Sequence, residues 1–138
     1  MESSQNNRPP LSLGQLQVGF EFPQKNLKLS KSVISKYLEA IDNQGDFLTS
    51  GLVPPLILAA CANTALSKSF AAPPGTIQVA QEFEFFETVA IGDTVRCRGT
   101  VSQKLERGRL NLIVLEVIIT DRNGERVLTG KATLTLPS

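Results

Sequence analysis

The sequence predicts a single α+β domain in which an antiparallel sheet wraps around one central, buried helix. Two observations lead to this prediction. The stretch from Leu52 to Phe70 is apolar at every position between Leu56 and Ala62, which is typical of a helix enclosed by protein on all sides. Residues 77–136 contain alternating and continuous apolar runs separated by turn signals, which indicates consecutive strands joined by tight turns.

The central helix is bounded by proline at both ends. Pro54 and Pro55 suit a first helical turn, where the missing N–H is no loss and the fixed φ already matches a helix. Pro73, Pro74 and Gly75 mark its end. Polar residues enter only near that end, at Asn63, Thr64, Ser67 and Lys68. A helix of about 15 residues is about 23 Å long, and it is too short to cross a bilayer, which needs about 20 apolar residues.

The other elements follow from the spacing of apolar residues. Apolar positions recur at helical spacing between Ser30 or Ser32 and about Asp42, which predicts a shorter helix with one apolar face. A short N-terminal strand is expected at residues 18–22, ending at Pro23 or continuing to Leu27 and Leu29. Four further strands are expected at residues 77–85, 95–101, 110–119 and 127–136. The strand at 110–119 is apolar on both faces and should lie at the sheet centre. Such a sheet around a buried helix is the arrangement called a hot-dog fold.

Length and charge set the domain count and exclude some partners. The chain has 138 residues, which is enough for one domain with a real core. Residues 1–14 are polar and interrupted by proline, so we expect a flexible N-terminal tail followed by the hot-dog domain at residues 15–138. With 14 basic and 13 acidic residues in near balance, neither nucleic acid nor a membrane is expected as a partner. The expected compartment is the cytoplasm.

The chain contains no histidine. Zinc sites that depend on histidine, His-based serine or cysteine triads and an Asp–His acid–base pair are therefore excluded within this chain. The two cysteines, Cys61 and Cys97, lie in apolar or strand-like runs. We interpret them as small buried hydrophobic residues, and not as a disulfide or a metal-binding pair. No metal site is predicted.

Four segments of the chain carry a family resemblance. They are Gly51-Leu52-Val53-Pro54-Pro55, Gln81-Glu82-Phe83-Glu84-Phe85, Ile91-Gly92-Asp93-Thr94-Val95 and a closing Asn123-Gly124-Glu125-x-Val127-x-Thr129-Gly130-x-Ala132. In this order and spacing, residues 18–136 resemble the MaoC-like dehydratases and (R)-specific enoyl-CoA hydratases, and more closely the N-terminal hot-dog half of the MaoC dehydratases. The resemblance implies a hot-dog homodimer, or a heterodimer with a second hot-dog subunit. It also implies binding of acyl thioesters of coenzyme A or acyl carrier protein, with no other cofactor.

The chain departs from the family pattern around the loop before the central helix. Active members, which add or remove water across the 2,3 bond of the acyl chain, place an Asp and, five residues on, a His there. The Asp position falls on Asn43, or on Asp42 if the alignment shifts by one, and the His position falls on Leu48 or Phe47. The family's His-Gly at the helix start is Pro54-Pro55 here, and proline lacks the N–H with which that glycine stabilises the thioester oxygen.

The resemblance therefore implies an acyl-thioester-binding subunit, or a weakly active homologue, that lacks the standard lyase residues. Candidate catalytic residues remain in the loop: Asp42, Asn43 and Asp46. Asp42 and Asp46 could form a paired-carboxylate site in which Asp46 replaces the lost His; alternatively, both are solvated loop carboxylates. Two other functions stay open, namely a divergent lyase that uses Asp42 and Asp46, and a biosynthetic protein that binds another hydrophobic ligand.

The candidate substrate-binding residues lie on the helices and on the strand after the central helix. They are Tyr37, Val53, Pro55, Leu56, Ile57, Gln81 and Phe83. The N–H groups of Leu56 and Ile57 are expected to be free in the first helical turn, where they could bind an oxyanion. Tyr37 either points its hydroxyl into a substrate tunnel or belongs to the core. Gln81 is either a wall residue beside the helix or one of the solvent-facing residues of its strand.

Overall fold

The computed structural model describes residues 11–40 and 51–137. Over these ranges the elements are β1 Leu11–Ser12, β2 Lys25–Lys28, α1 Lys31–Ala40, α2 Pro55–Ser67, β3 Phe70–Ala71, β4 Ile77–Phe85, β5 Thr94–Arg107, β6 Leu110–Thr120 and β7 Arg126–Leu136. A single turn of 3-10 helix, Leu13–Gln15, follows β1. No helix in the described ranges is long and apolar enough to span a membrane.

Five of the strands form one antiparallel sheet in the order β2-β5-β6-β7-β4. β6 lies at the centre, as its two apolar faces predicted. β5 extends well past the predicted residue 101, because it pairs with β6 from Arg96 to Arg107 and continues beyond a bulge between Val101 and Gln103. Among the described strands, β4 lies at one edge of the sheet and pairs only with β7.

α2 packs against the inner face of this sheet, and most of it is buried. Its buried residues are Ile57, Leu58, Ala59, Cys61, Ala62, Ala65 and Leu66. The strands approach the helix closely, since a Cβ atom at Gly99 of β5 would lie 2.6 Å from Leu66 Cδ1. From β2, Lys25 Nζ donates a hydrogen bond of 3.0 Å to the Ala65 carbonyl oxygen, which satisfies one of the free carbonyls at the end of the helix. The arrangement confirms the predicted α+β fold with a single hot-dog domain.

α1 covers the other side of α2 with one apolar face, as its periodicity predicted. Ile34 and Leu38 are fully buried, and Val33 and Tyr37 pack against the core. Ser30 begins the helix as expected, because its Oγ accepts a hydrogen bond of 3.3 Å from the Val33 N–H.

The N-terminal region differs from the prediction in two respects. Residues 11–14 were assigned to the tail, yet β1 pairs in parallel with β3 and Leu13 is fully buried. The domain therefore extends at least to Leu11. Residues 18–22 form no regular strand, because the Phe20 N–H donates to the Gln17 carbonyl in a turn and only Glu21 forms an isolated bridge. The strand that joins the sheet is β2, a few residues later.

Candidate functional site

The predicted catalytic residues Asp42, Asn43 and Asp46 lie outside the described residues. The candidate site is therefore built from the described helices and strands. Its centre is a pair of polar residues on α2, Asn63 and Thr64, which follow seven apolar positions in the sequence.

Each of these two polar residues contacts a different neighbouring element. From α1, the Tyr37 hydroxyl donates a hydrogen bond of 3.1 Å to Thr64 Oγ1. From β4, Gln81 Nε2 donates a hydrogen bond of 2.9 Å to Asn63 Oδ1. Two of the predicted substrate-binding residues, Tyr37 and Gln81, thus meet at adjacent positions of α2.

A third amide, that of Gln78, extends this network along β4. Its Nε2 donates a hydrogen bond of 3.0 Å to Gln81 Oε1. In a regular strand, residues three apart point to opposite faces of the sheet. The register of β4 shifts between Gln78 and Ala80, and a bulge of this kind brings both glutamines to the face that α2 covers.

The polar network borders a cleft between the second half of α2 and the sheet. This α2 cleft has a volume of about 240 Å³ and is lined by Asn63, Thr64, Leu66, Ser67, Phe70, Gln78, Leu115, Ala132 and Leu134. Its floor is apolar and comes from β6 and β7, whereas the side chains of α2 and Gln78 supply the polar groups. An apolar cavity with a few placed polar groups is typical of sites for small molecules.

The predicted residues at the start of α2 lie about a turn and a half or more from the cleft. Leu56 is 75 % exposed and Pro55 is also exposed. The expectation that the Leu56 and Ile57 N–H groups are both free is wrong for Ile57, because its N–H donates to the Pro54 carbonyl at 3.0 Å. Pro54 thus closes a tight first turn with the Ile57 N–H. The Leu56 N–H has no acceptor among the described residues.

The remaining predicted residues belong to the core or border it. Val53 is buried and its N–H donates to the Val89 carbonyl at 2.8 Å, so it fixes the chain where it enters α2. The Ile57 side chain is also buried. Phe83 is half-buried and packs over Gly130, where an added Cβ would lie 2.8 Å from the Phe83 ring.

Sequence reasoning missed Asn63, Thr64 and Gln78 as site residues. A signal was present, because polar residues interrupt an apolar helix at Asn63, but it was interpreted only as the approach to the helix end. Gln78 joins the polar network only because of the bulge in β4, and no local sequence pattern predicts that bulge.

The buried thiols of the two cysteines offer no nucleophile to this site. Cys61 and Cys97 are free and buried, as predicted. Burial raises the pKa of Cys97 to about 11. Burial also raises the pKa of Cys61, although a hydrogen bond with Tyr37 opposes that effect. Both thiols therefore stay protonated at neutral pH, and only the thiolate is reactive.

A wider groove of about 600 Å³ lies against β4, β6 and β7. Charged residues dominate it, and strand register places Lys131 between Glu82 and Glu116. Its apolar lining comes from Phe83, a predicted substrate-binding residue, and from Val117 and Ile118. Because half of its lining residues are charged, we interpret the groove as a solvated surface of the sheet. Among the described residues, no group of three or more carboxylates, thiols or imidazoles could hold a metal ion.

Solved structures share this fold. The unliganded (R)-hydratase PhaJ1 from Pseudomonas aeruginosa superposes with a TM-score of 0.75 at 16 % identity, covering 94 % of this chain and 87 % of that one. A MaoC-like dehydratase from Rhodospirillum rubrum gives 0.72 at 18 % identity, covering 92 % and 97 %. The 3R-hydroxyacyl-ACP dehydratase complex HadBC from Mycobacterium tuberculosis gives 0.67 at 19 % identity, covering 89 % and 99 %.

Comparison with the sequences of curated proteins gave no significant match. The match to a family model is extensive, because residues 16–130 align with the model of the FAS1-like dehydratase domain region. That range includes α1, α2, β2 to β6 and the first part of β7. The chain therefore belongs to the family of FAS1-like dehydratase domain regions.

Proposed function

We propose that this chain is the acyl-thioester-binding subunit of a hot-dog dehydratase and that a second hot-dog subunit supplies the acid–base pair. The observation that supports this most directly is the absence of histidine from a chain of the dehydratase family. A dehydratase removes a proton from C2 and the hydroxyl from C3 of the acyl chain, and the hydroxyl leaves as water. Two groups must move these protons, and the chain lacks the histidine of the family's Asp–His pair.

The proposed ligand is an acyl thioester of coenzyme A or acyl carrier protein. The Leu56 N–H at the start of α2 would donate to the thioester oxygen, in place of the donor that Pro55 lacks. From there the acyl chain would follow α2 towards the α2 cleft. In this arrangement the chain's own residues bind and orient the substrate and exclude water from it, without themselves performing the proton transfer.

The proposed partner surface is the free edge of β4. Within the described part of the chain, this nine-residue strand pairs with β7 on one side only. Its side chains Ile77 and Val79 are 60 % and 55 % exposed. Long, exposed and apolar edge strands are templates for pairing with another chain. The HadBC dehydratase is itself a complex, which supports a dimer of two hot-dog subunits. We place this dimer in the cytoplasm, where two free thiols such as Cys61 and Cys97 stay reduced.

The first prediction concerns activity of the chain alone. Purified protein incubated with 2-enoyl and 3-hydroxyacyl thioesters should show hydration and dehydration near the uncatalysed background, because one oxyanion donor and the acid–base pair are both absent. Loss of such a donor alone costs about 100- to 1000-fold in rate. The measurement is a spectrophotometric assay of the enoyl thioester, with an active (R)-hydratase as positive control.

Turnover comparable to that of the control would contradict the proposal. The variants Asp42→Asn and Asp46→Asn would then be assayed, and loss of activity in either would favour the divergent lyase with a carboxylate-based mechanism. Failure of the protein to bind any acyl thioester would instead favour a different hydrophobic ligand.

A further inference from the structure

We propose that the second hot-dog subunit pairs with the free edge of β4 through a strand that carries lysine or arginine opposite Glu82 and Glu84. This inference rests on the proposed function and adds the chemistry by which the partner subunit is recognised. It follows from the two sides of β4, which carry different kinds of side chain.

The inner side of β4 is aromatic and its outer side is acidic. Gln81 donates a hydrogen bond to a side chain of α2, so it lies on the inner side of the sheet. Along the regular part of the strand after the bulge, alternation places Phe83 and Phe85 on that same side. Glu82 and Glu84 therefore lie on the outer side, and both are exposed. A partner strand at this edge would meet rings on one side and carboxylates on the other.

The outer carboxylates have little compensation from neighbouring strands. Strand register places Lys131 of β7 beside Glu82 and also beside Glu116 of β6, so one cation lies between two carboxylates. The neighbour of Glu84 on β7 is the neutral Thr129. Within the described part of the chain, no ion pair joins either glutamate of β4 to a basic residue. Their negative charge is thus available to a partner strand.

The backbone of β4 determines which residues a partner strand would pair with. The Phe86 N–H donates to the Val127 carbonyl of β7 at 2.9 Å. Backbone groups along an antiparallel strand alternate in direction, so those of residues 82 and 84 also point to β7. The groups that point to the free edge after the bulge belong to Gln81, Phe83 and Phe85.

A second copy of this chain fits the outer side of this edge poorly. Among two-fold antiparallel pairings, the one centred on Phe83 joins all three residues whose backbone points to the edge. It sets Glu82 opposite Glu84 of the second copy, and does so twice. Opposite Cβ atoms lie about 4.5–5.5 Å apart, and like charges there are destabilising. The aromatic inner side still permits self-association, but basic residues at these positions would turn two repulsions into two attractions.

The test mixes the wild-type chain with the double variant Glu82→Lys/Glu84→Lys, which itself supplies a basic strand at this edge. One of the two full-length proteins carries a short affinity tag, and native mass spectrometry measures homodimers and mixed dimers after subunit exchange. We expect more than about four-fifths of the dimers to be mixed, against about half by chance, because only the mixed dimer has two Glu–Lys pairs. Exchange in about 1 M ammonium acetate should lower this excess, because the screening length falls to about 3 Å.

The matched control is the double variant Glu21→Lys/Glu106→Lys. Both glutamates are exposed, and they lie on or beside β5, on the opposite side of the sheet from β4. Mixed with the wild-type chain, this variant should form mixed dimers at the chance level. Thermal unfolding curves check that each variant folds. The single variant Glu84→Lys, which leaves Glu82 beside Lys131, repeats the test with half the charge change if the β4 double variant does not fold.

Mixed dimers at the chance level for the β4 variant would overturn this inference, and would mean that the two glutamates only protect a free edge. An equal excess for the control variant would also overturn it, because the preference would then lie elsewhere. If the wild-type chain is monomeric, a dimer that forms only with the β4 variant would support the inference, and no dimer in any mixture would overturn it.

The proposed function can fail separately from this inference. Mass spectrometry of the mixed dimers needs no ligand, whereas the proposed function depends on the binding of acyl thioesters. A chance level of mixing leaves that binding untouched. Failure to bind any acyl thioester would instead overturn the proposed function, whatever the fraction of mixed dimers.

Discussion

At the scale of single residues, two glycines set how closely the layers of this protein pack. Strand register aligns Gly99 and Gly130 on either side of Val117 in the central strand. A Cβ at Gly130 would lie within 3 Å of both the Phe83 ring and Val117 Cγ1. A rigid ring and a β-branched side chain approach from two sides, so neither can move away easily.

We therefore expect Gly130→Ala to lower the free energy of unfolding by about 1–3 kcal/mol through overpacking. Gly14→Ala is the control, because no atom lies within 4 Å of a Cβ at that position, and it should change stability by less than about 0.5 kcal/mol. Urea denaturation of the two variants measures both values. Equal stability of the two variants would mean that the Phe83 side chain rearranges at little cost.

At the scale of elements, periodicity predicted most of the fold and little of the site. The bounds of α2 and the central place of β6 depend on long apolar runs whose burial is nearly obligatory. The pairing of β1 with β3 and the bulge in β4 depend on contacts between distant segments, which local patterns do not encode. Of the residues in the polar network, Tyr37 and Gln81 were named from the sequence, whereas their partners Thr64 and Asn63 were not.

The enclosure of α2 makes a prediction about its small residues. Ala62 is fully buried, whereas Ala60, on another side of the helix, is only half-buried. Ala62→Leu should destabilise the fold by about 1–3 kcal/mol, because the added atoms have no space between helix and sheet. Ala60→Leu should cost less than about 1 kcal/mol. Denaturation at a single protein concentration compares the two, and a larger loss for Ala60→Leu would show that α2 is rotated relative to the structure described above.

At the scale of the whole molecule, the two edges of the sheet differ. At the β5 edge, β2 covers residues 94–97, and backbone hydrogen bonds from residues 19–22 to Gly99 and Val101 extend the cover. At the other edge, β4 has no partner strand beyond β7 among the described elements. Apolar side chains at Ile77 and Val79 are more than half exposed there, which supports the proposal that a second subunit adds to the sheet at β4.

The final prediction is that the purified chain sediments as a dimer and that Val79→Lys shifts it to monomer. A lysine on β4 would place a charge in the apolar seam between two sheets, and burying an unpaired charge is costly. Leu105→Lys is the matched control, since Leu105 is 43 % exposed near the far end of β5 and should leave the dimer intact. Because a two-fold dimer uses the same surface of both copies, one substitution acts twice, and a modest energetic effect per site becomes a large change in association.

Sedimentation velocity at micromolar concentration distinguishes the outcomes. A wild-type monomer would contradict the homodimer and would leave β4 as the surface for a different hot-dog subunit, whereas a Val79→Lys dimer would show that association uses another surface.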